Sequence, residues 1–109
     1  MNKRLLHSVL FFLLFTATFF AQTIEVCNSC EISIISQAVE KAKPFDTIKI
    51  KKGTYKEYNI GITKPLIIIG EGNPVIDGDN KGEIITIQSD SVTIDGLTIV
   101  NVGTSYTGC

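Results

Sequence analysis

The sequence predicts an all-β chain that winds into a parallel β-helix of about three coils, preceded by an export signal and one short helix. Two observations predict this class. The 88 residues after position 21 include 17 Ile, 6 Val and 9 Thr, and β-branched side chains favour strands over helices and over disordered coil. In addition, short Ile-rich runs return at a regular spacing, which is typical of a solenoid.

Residues 1–21 form a segment of different composition from the remainder of the chain. Lys3 and Arg4 are followed by an apolar run from Leu5 to Phe20, the pattern of a secretory signal peptide. A cut after Ala21 is expected to leave the mature protein in the periplasm. The alternative is an uncleaved membrane anchor, although a run of 16 residues is shorter than the roughly 20 that a transmembrane helix needs.

The mature segment carries 8 basic and 11 acidic side chains and contains neither His nor Met. This charge balance excludes a polybasic nucleic-acid-binding protein, so no nucleic-acid partner is expected. The absence of imidazole excludes a Ser-His-Asp or Cys-His nucleophile system within the mature segment. Any chemistry in it must therefore use carboxylates, lysines or thiols.

The N-terminal segment 22–32 contains a C-x-x-C motif formed by Cys27 and Cys30. Three interpretations stay open: a local disulfide that ties the mature N-terminus, a redox or soft-metal dithiol, and solvated spectator thiols. Export favours the disulfide, because thiols tend to pair in oxidising compartments. A reduced pair is the only site in the mature segment predicted to hold copper, since two nearby thiolates suit Cu(I) and carboxylates do not.

Residues 33–109 are predicted to form the N-terminal cap and the first coils of the β-helix. A helix is expected from Ile34 to about Lys43, with Ser33 as its N-cap and Pro44 as its stop. Its apolar side chains fall on one face, so we expect it to cover the open end of the apolar column. The predicted strands lie at 47–50, 66–69, 74–76, 83–87, 92–94 and 97–99.

The spacing of these runs predicts a coil of 18 residues. The Ile-x-Ile pattern at 67–69 returns at 85–87, and the triplet Ile-Asp-Gly at 76–78 returns at 94–96. The two Asp-Gly pairs are expected at equivalent corners, with Gly at positive φ. A left-handed hexapeptide helix is the second interpretation. The column would end uncovered at Ile87, Ile94 and Ile99, so we expect a truncated fold from a longer protein.

With these residues laid out, the stretch from Ser33 to Thr107 resembles the N-terminus of the NosD-like proteins, accessory proteins for maturation of the copper enzyme nitrous-oxide reductase. Part of this signature is shared with pectin-lyase-like right-handed β-helices in general. A difference is Pro44-Phe45, where Gly is common before Asp-Thr-Ile. The segments that carry the resemblance are 34–42, Asp46-Thr47-Ile48, Gly53-Thr54-Tyr55-Lys56-Glu57, 64–66, 69–71, 74–78 and 92–97.

The resemblance implies a right-handed, non-enzymatic β-helix in the periplasm that works with an ABC transporter, a copper chaperone and nitrous-oxide reductase. An alternative on the same fold is a polysaccharide lyase or glycosidase, which would act on carbohydrate through paired carboxylates. A surface adhesin or structural solenoid is a third possibility. The carboxylates that would serve an enzyme are Asp77, Asp79, Glu83, Asp90 and Asp95.

Overall fold

The computed structural model describes residues 20–103 of the chain. The predicted signal peptide up to Phe19 and the final segment with Tyr106 and Cys109 lie outside these residues. Within this range there are one helix and nine short strands. They are β1 (Thr23–Val26), α1 (Ile35–Lys41), β2 (Thr47–Ile50), β3 (Thr54–Lys56), β4 (Ile60–Ile62), β5 (Ile67–Gly70), β6 (Val75–Asp77), β7 (Ile85–Ile87), β8 (Thr93–Asp95) and β9 (Thr98–Val100).

The strands form three parallel sheets, each of which receives strands from successive turns of the chain. The first sheet has the order β1-β2-β5-β8, the second β3-β6-β9 and the third β4-β7. Neighbours in each sheet are never consecutive along the chain, so every pairing follows a full turn around the axis. The predicted parallel β-solenoid of about three turns with one short helix is therefore confirmed.

Side chains that point into the solenoid stack on one another from coil to coil. In the first sheet they form a continuous Ile row, and the side chains in the middle of that row are fully buried. Burial ends at the last coil: Ile76 is fully buried, whereas Ile99 above it is 44% exposed, and Ile87 is 50% exposed. The Ile row of the first sheet is Ile24, Ile48, Ile68 and Ile94.

The predicted coil length of 18 residues is wrong. Ile48 pairs with Ile68 and Ile68 with Ile94, so successive coils measure 20 and 26 residues in this sheet. The repeated Ile-Asp-Gly triplets do not occupy equivalent places. Asp77 lies in β6 of the second sheet, and Asp95 lies in β8 of the first. Loops of unequal length between the strands remove any strict period from the sequence.

The expected alternation in β5 is also wrong. The inward residue is Ile68, which is 2% exposed, whereas Ile67 is 38% exposed and Ile69 shares an outward row with Lys49 and Asp95. The run from Leu66 to Ile69 is apolar at every position, so it contains no alternation from which the buried face can be recognised.

The helix differs from the prediction at both ends. It spans Ile35–Lys41, its N-cap position is Ile34, and no side chain of its own segment caps it, so Ser33 does not fill that role. It buries Ile35, Ala38 and Val39 against β1, β2 and β4. The predicted covering of the column by this helix is thus observed. A shorter helix suffices because Ala42 already adopts extended backbone before Pro44.

Two glycines stack at one corner of successive coils. A Cβ atom on Gly70 would lie 2.2 Å from the carbonyl oxygen of Gly96, which itself has φ +77°. The expected positive φ is therefore found at Gly96 but not at Gly78, where Asp79 and Asn80 take the left-handed conformation instead. Phe45 also has a positive φ, of 71°, at the position where the resembling family has Gly.

The register predicts opposite responses from two neighbouring residues of β5. Ile68→Ala should lower the free energy of unfolding by about 2–5 kcal/mol, because it leaves a cavity in the column. Ile67→Ala, on the outer face of the same strand, should cost under about 1 kcal/mol. Urea unfolding of both variants measures the difference, and equal losses would contradict the assigned register.

The corner predicts a similar contrast between two glycines. Gly70→Ala should destabilise the solenoid by about 1–3 kcal/mol, because the added methyl group meets the backbone of the next coil. Gly61→Ala is the matched control, since no atom lies within 4 Å of the Cβ position there and its effect should stay within about 1 kcal/mol. Thermal denaturation followed by circular dichroism compares them. A Gly70→Ala protein as stable as Gly61→Ala would show that the coils do not approach so closely.

Candidate functional site

The polar groups of the N-terminal end converge on one buried carboxylate. Asp46, just before β2, is only 3% exposed. Its Oδ1 accepts a hydrogen bond from the backbone N–H of Gln22 at 2.8 Å, and its Oδ2 accepts one from the backbone N–H of Lys43 at 2.9 Å. These two bonds, with help from the charges of Lys43 and Lys64, hold the pKa of Asp46 below its ordinary value of 3.8, although burial acts in the opposite direction.

Both ends of α1 are satisfied by side chains from the first coil. The Glu57 carboxylate accepts hydrogen bonds from the backbone N–H groups of Ile35 at 2.6 Å and Ser36 at 3.0 Å. At the other end, the Lys64 ammonium donates to the carbonyl oxygens of Glu40, at 3.2 Å, and Ala42. A negative group at the N-terminus and a positive group at the C-terminus both match the helix dipole. The helix is thus fastened to the coil that it covers.

Tyr55 is a core residue rather than an exposed aromatic. It is 3% exposed, and its hydroxyl donates to the carbonyl oxygen of Lys51 at 2.7 Å and lies 3.3 Å from that of Val26. Burial, and to a lesser extent the charge of Glu57, raises the pKa of its phenol. Tyr55 therefore joins β1 to the first corner of the solenoid, whereas Tyr58 is 44% exposed.

The two predicted site cysteines form a disulfide at the end of β1. Cys27 and Cys30 are bonded to each other across a tight turn with a Cα–Cα distance of 5.0 Å, and the N–H of Cys30 donates to the carbonyl oxygen of Cys27. Both residues are partly accessible. An open groove of about 420 Å³ runs beside this turn. It is lined by Thr23, Ile24, Glu25, Cys30, Glu31 and Ile32.

This disulfide decides what the groove can do chemically. A sulfur in a disulfide has no thiolate to offer, so the oxidised pair is not a Cu(I) ligand set. Reduction would release two sulfurs held within one turn. Within residues 20–103 there is no group of three or more His, Cys, Asp and Glu side chains placed to hold a metal ion together. Copper at Cys27 and Cys30 stays a prediction that needs the reduced state.

The five carboxylates that would serve an enzyme are not brought to one place by shared strands. Asp77 makes an Asx turn, because its Oδ1 accepts from the N–H of Asp79 at 2.9 Å and also from Nδ2 of Asn101 at 2.9 Å. These bonds, that from Asn101 first, lower the pKa of Asp77. Glu83 accepts from the Thr86 hydroxyl at 3.1 Å. Asp77 and Asp95 lie in different sheets, as described above.

The lysines near β2 lie on the outer surface. Lys49 forms an ion pair with Glu71 at 3.4 Å, and Lys51 forms one with Glu25 at 3.7 Å. Such exposed pairs contribute little to stability, typically about 0–1 kcal/mol. In the part of the chain from residue 20 to 103, no helix is long and apolar enough to span a membrane.

Comparisons with models of known protein families, with curated protein sequences and with solved structures found no significant match. The class of protein that the geometry defines is therefore a parallel β-solenoid with a fastened N-terminal cap. Its function must be argued from the cap and from the cysteine pair.

Sequence reasoning missed the roles of Asp46, Glu57 and Lys64. The first two stand in segments that carry the family resemblance, and that was the only signal pointing to them. Their partners lie 21–24 residues away along the chain, except for Lys43, which is three residues from Asp46. No local spacing rule connects residues so far apart.

Asp46 predicts a loss of stability in acid. Its lowered pKa means that its contribution is complete above about pH 4 and is lost as the pH falls through the lower native-state value. Asp46→Asn should cost about 1.5–3 kcal/mol at pH 7, because an amide nitrogen would face one of the two backbone donors. Stability measured by urea unfolding should then depend less on pH between about 2 and 4.

The control for this variant is Asp90→Asn, at an exposed carboxylate. It should change the free energy of unfolding by no more than about 0.5 kcal/mol. If Asp46→Asn were equally mild, the carboxylate would not be the centre of the N-terminal cap.

Proposed function

We propose that this chain is an exported, non-catalytic β-solenoid accessory protein that serves copper-site assembly in nitrous-oxide reductase. The observation that supports a non-catalytic role is the use made of the acidic motif residues. Asp46 and Glu57 accept hydrogen bonds from backbone N–H groups of the cap, and Asp77 accepts them within a corner. These carboxylates have a structural task, and it is the cap of a solenoid that they build.

The cysteine pair is the part of the proposal that concerns copper. Cys27 and Cys30 lie at the accessible N-terminal end of the solenoid, beside a groove open to solvent. A reduced pair offers two soft thiolates within one turn, which is a ligand type that Cu(I) prefers. In this proposal the oxidised protein carries no copper, and a reductant must open the disulfide before loading. The partners are the reductase, a copper chaperone and an ABC transporter in the periplasm.

The experiment is a Cu(I) competition titration of the reduced protein, with a chromophoric Cu(I) chelator as the competitor. The wild type is expected to bind one Cu(I), while Cys27→Ser and Cys30→Ser should each lose at least about tenfold in affinity, since one soft ligand is removed. Cys109→Ser is the matched control and should bind as the wild type does. Tight binding that survives both substitutions would place the metal elsewhere, and no binding by the reduced wild type would leave the pair a structural disulfide.

The cellular part of the proposal is tested by deleting the gene in its own host. Loss of nitrous-oxide reduction, together with copper-poor reductase, is expected, and the wild-type gene should restore both. Complementation by a gene that carries Cys27→Ser and Cys30→Ser should fail if the thiols act in copper transfer. Normal nitrous-oxide reduction after deletion would overturn the proposed role.

A further inference from the structure

The backbone of Gln22 is held on both sides at the point where the solenoid begins. Its N–H donates to Asp46 Oδ1 at 2.8 Å, and its carbonyl oxygen accepts from the N–H of Thr47 at 2.9 Å. The two residues before it are not held in this way. Phe20 is 82% exposed, and Ala21 is exposed as well. Ordered contacts therefore start at Gln22.

We propose that Asp46 is the binding site for the free N-terminus of the mature chain, so that removal of the signal peptide creates an ion pair between the Gln22 α-ammonium and the Asp46 carboxylate. This inference rests on the proposed export, because it needs a cut between Ala21 and Gln22. In the precursor the same nitrogen belongs to a neutral peptide group. Cleavage thus changes a neutral donor into a charged one at an unchanged position.

The local geometry suits such a pair. The other oxygen of Asp46 is already occupied by the N–H of Lys43, so Oδ1 is the atom that faces Gln22. A hydrogen bond from an ammonium to a carboxylate is about twice as strong as one between neutral groups. The exposed Phe20 and Ala21 leave without breaking a core contact. The amine then meets a carboxylate whose burial is already part of the fold.

The charges that act on Asp46 are those of Lys43 and Lys64. Both are positive and therefore oppose a further positive charge at Gln22. The Asp46 carboxylate is in direct contact with the Gln22 nitrogen, so its attraction is the larger influence. The pKa of the α-amine is accordingly expected to rise above its ordinary value of about 7.7.

The pair also has a chemical consequence for an N-terminal glutamine. Cyclisation to pyroglutamate requires a neutral α-amine, which attacks the side-chain amide carbon; the N–C bond forms as ammonia leaves and one amine proton goes with it. An α-ammonium held on Asp46 has no free electron pair for this attack. The mature chain should therefore keep its free amine.

The test begins with the full-length gene, expressed in a host that exports the product. Mass spectrometry and N-terminal sequencing of the recovered protein establish where it begins. The α-amine of the exported protein is then titrated by NMR after labelling of Gln with ¹⁵N. A pKa at least about one unit above 7.7, a tenfold gain in proton affinity, is expected.

Two variants separate the ion pair from general effects on folding. Asp46→Asn should return the α-amine pKa to about 7.7 if the variant folds. An Ala inserted between Ala21 and Gln22 moves the amine away from Asp46 while the neutral N–H of Gln22 and all side chains stay, so it remains informative whether or not Asp46→Asn folds. The inserted protein should show an ordinary amine pKa. It should also lack the loss of melting temperature that the wild type shows as the pH rises above about 7.7 through the raised pKa.

The outcomes distinguish the inference from the proposal on which it rests. A product that keeps Met1 in the membrane fraction overturns export and the ion pair together. An exported product that begins at another residue overturns the ion pair but leaves export standing. An exported product that begins at Gln22 but has an ordinary amine pKa, or has become pyroglutamate, overturns the ion pair alone.

Discussion

The structure depends on the stacking of inward side chains in parallel register. Each coil must place an apolar, β-branched residue directly over one in the coil before it, as Ile68 lies over Ile48. Parallel neighbours a full turn apart leave no freedom to slip by one residue, because a slip would turn the buried face outward. The corners and the N-terminal cap can be understood as the conditions that let this column close and begin.

The cap shows how the column begins. A helix of seven residues is too short to be stable by itself in water. Its apolar face packs on the first coil, and that coil supplies Glu57 for one end and Lys64 for the other. Asp46 then ties the strand before the helix to the segment after it. The cap and the first coil are therefore one structural unit, although the sequence divides them into a helix and a set of strands.

Composition and the Ile-rich runs were enough to predict the fold class, because a parallel solenoid is the simplest way to bury so many short apolar strands. They were not enough for the register. The repeat of Ile-Asp-Gly at 76–78 and 94–96 agreed by coincidence with the Ile-x-Ile repeat, and the unequal loops that separate true neighbours carry no apolar pattern. The cysteine pair could be found because its two members are close in sequence. The role of Asp46 could not, because Gln22 becomes its neighbour only after the chain has wound once.

The distance between partners along the chain has a consequence for how the protein acquires its structure. Paired strands are separated by 20–26 residues, so no contact between strands has to wait for a distant part of the polypeptide. Because synthesis delivers the N-terminal coils first, each finished coil can act as the template on which the next is laid. Assembly in this order has a direction. A defect in the cap or first coil removes the template for everything that follows, while the same defect in a later coil leaves the earlier ones intact.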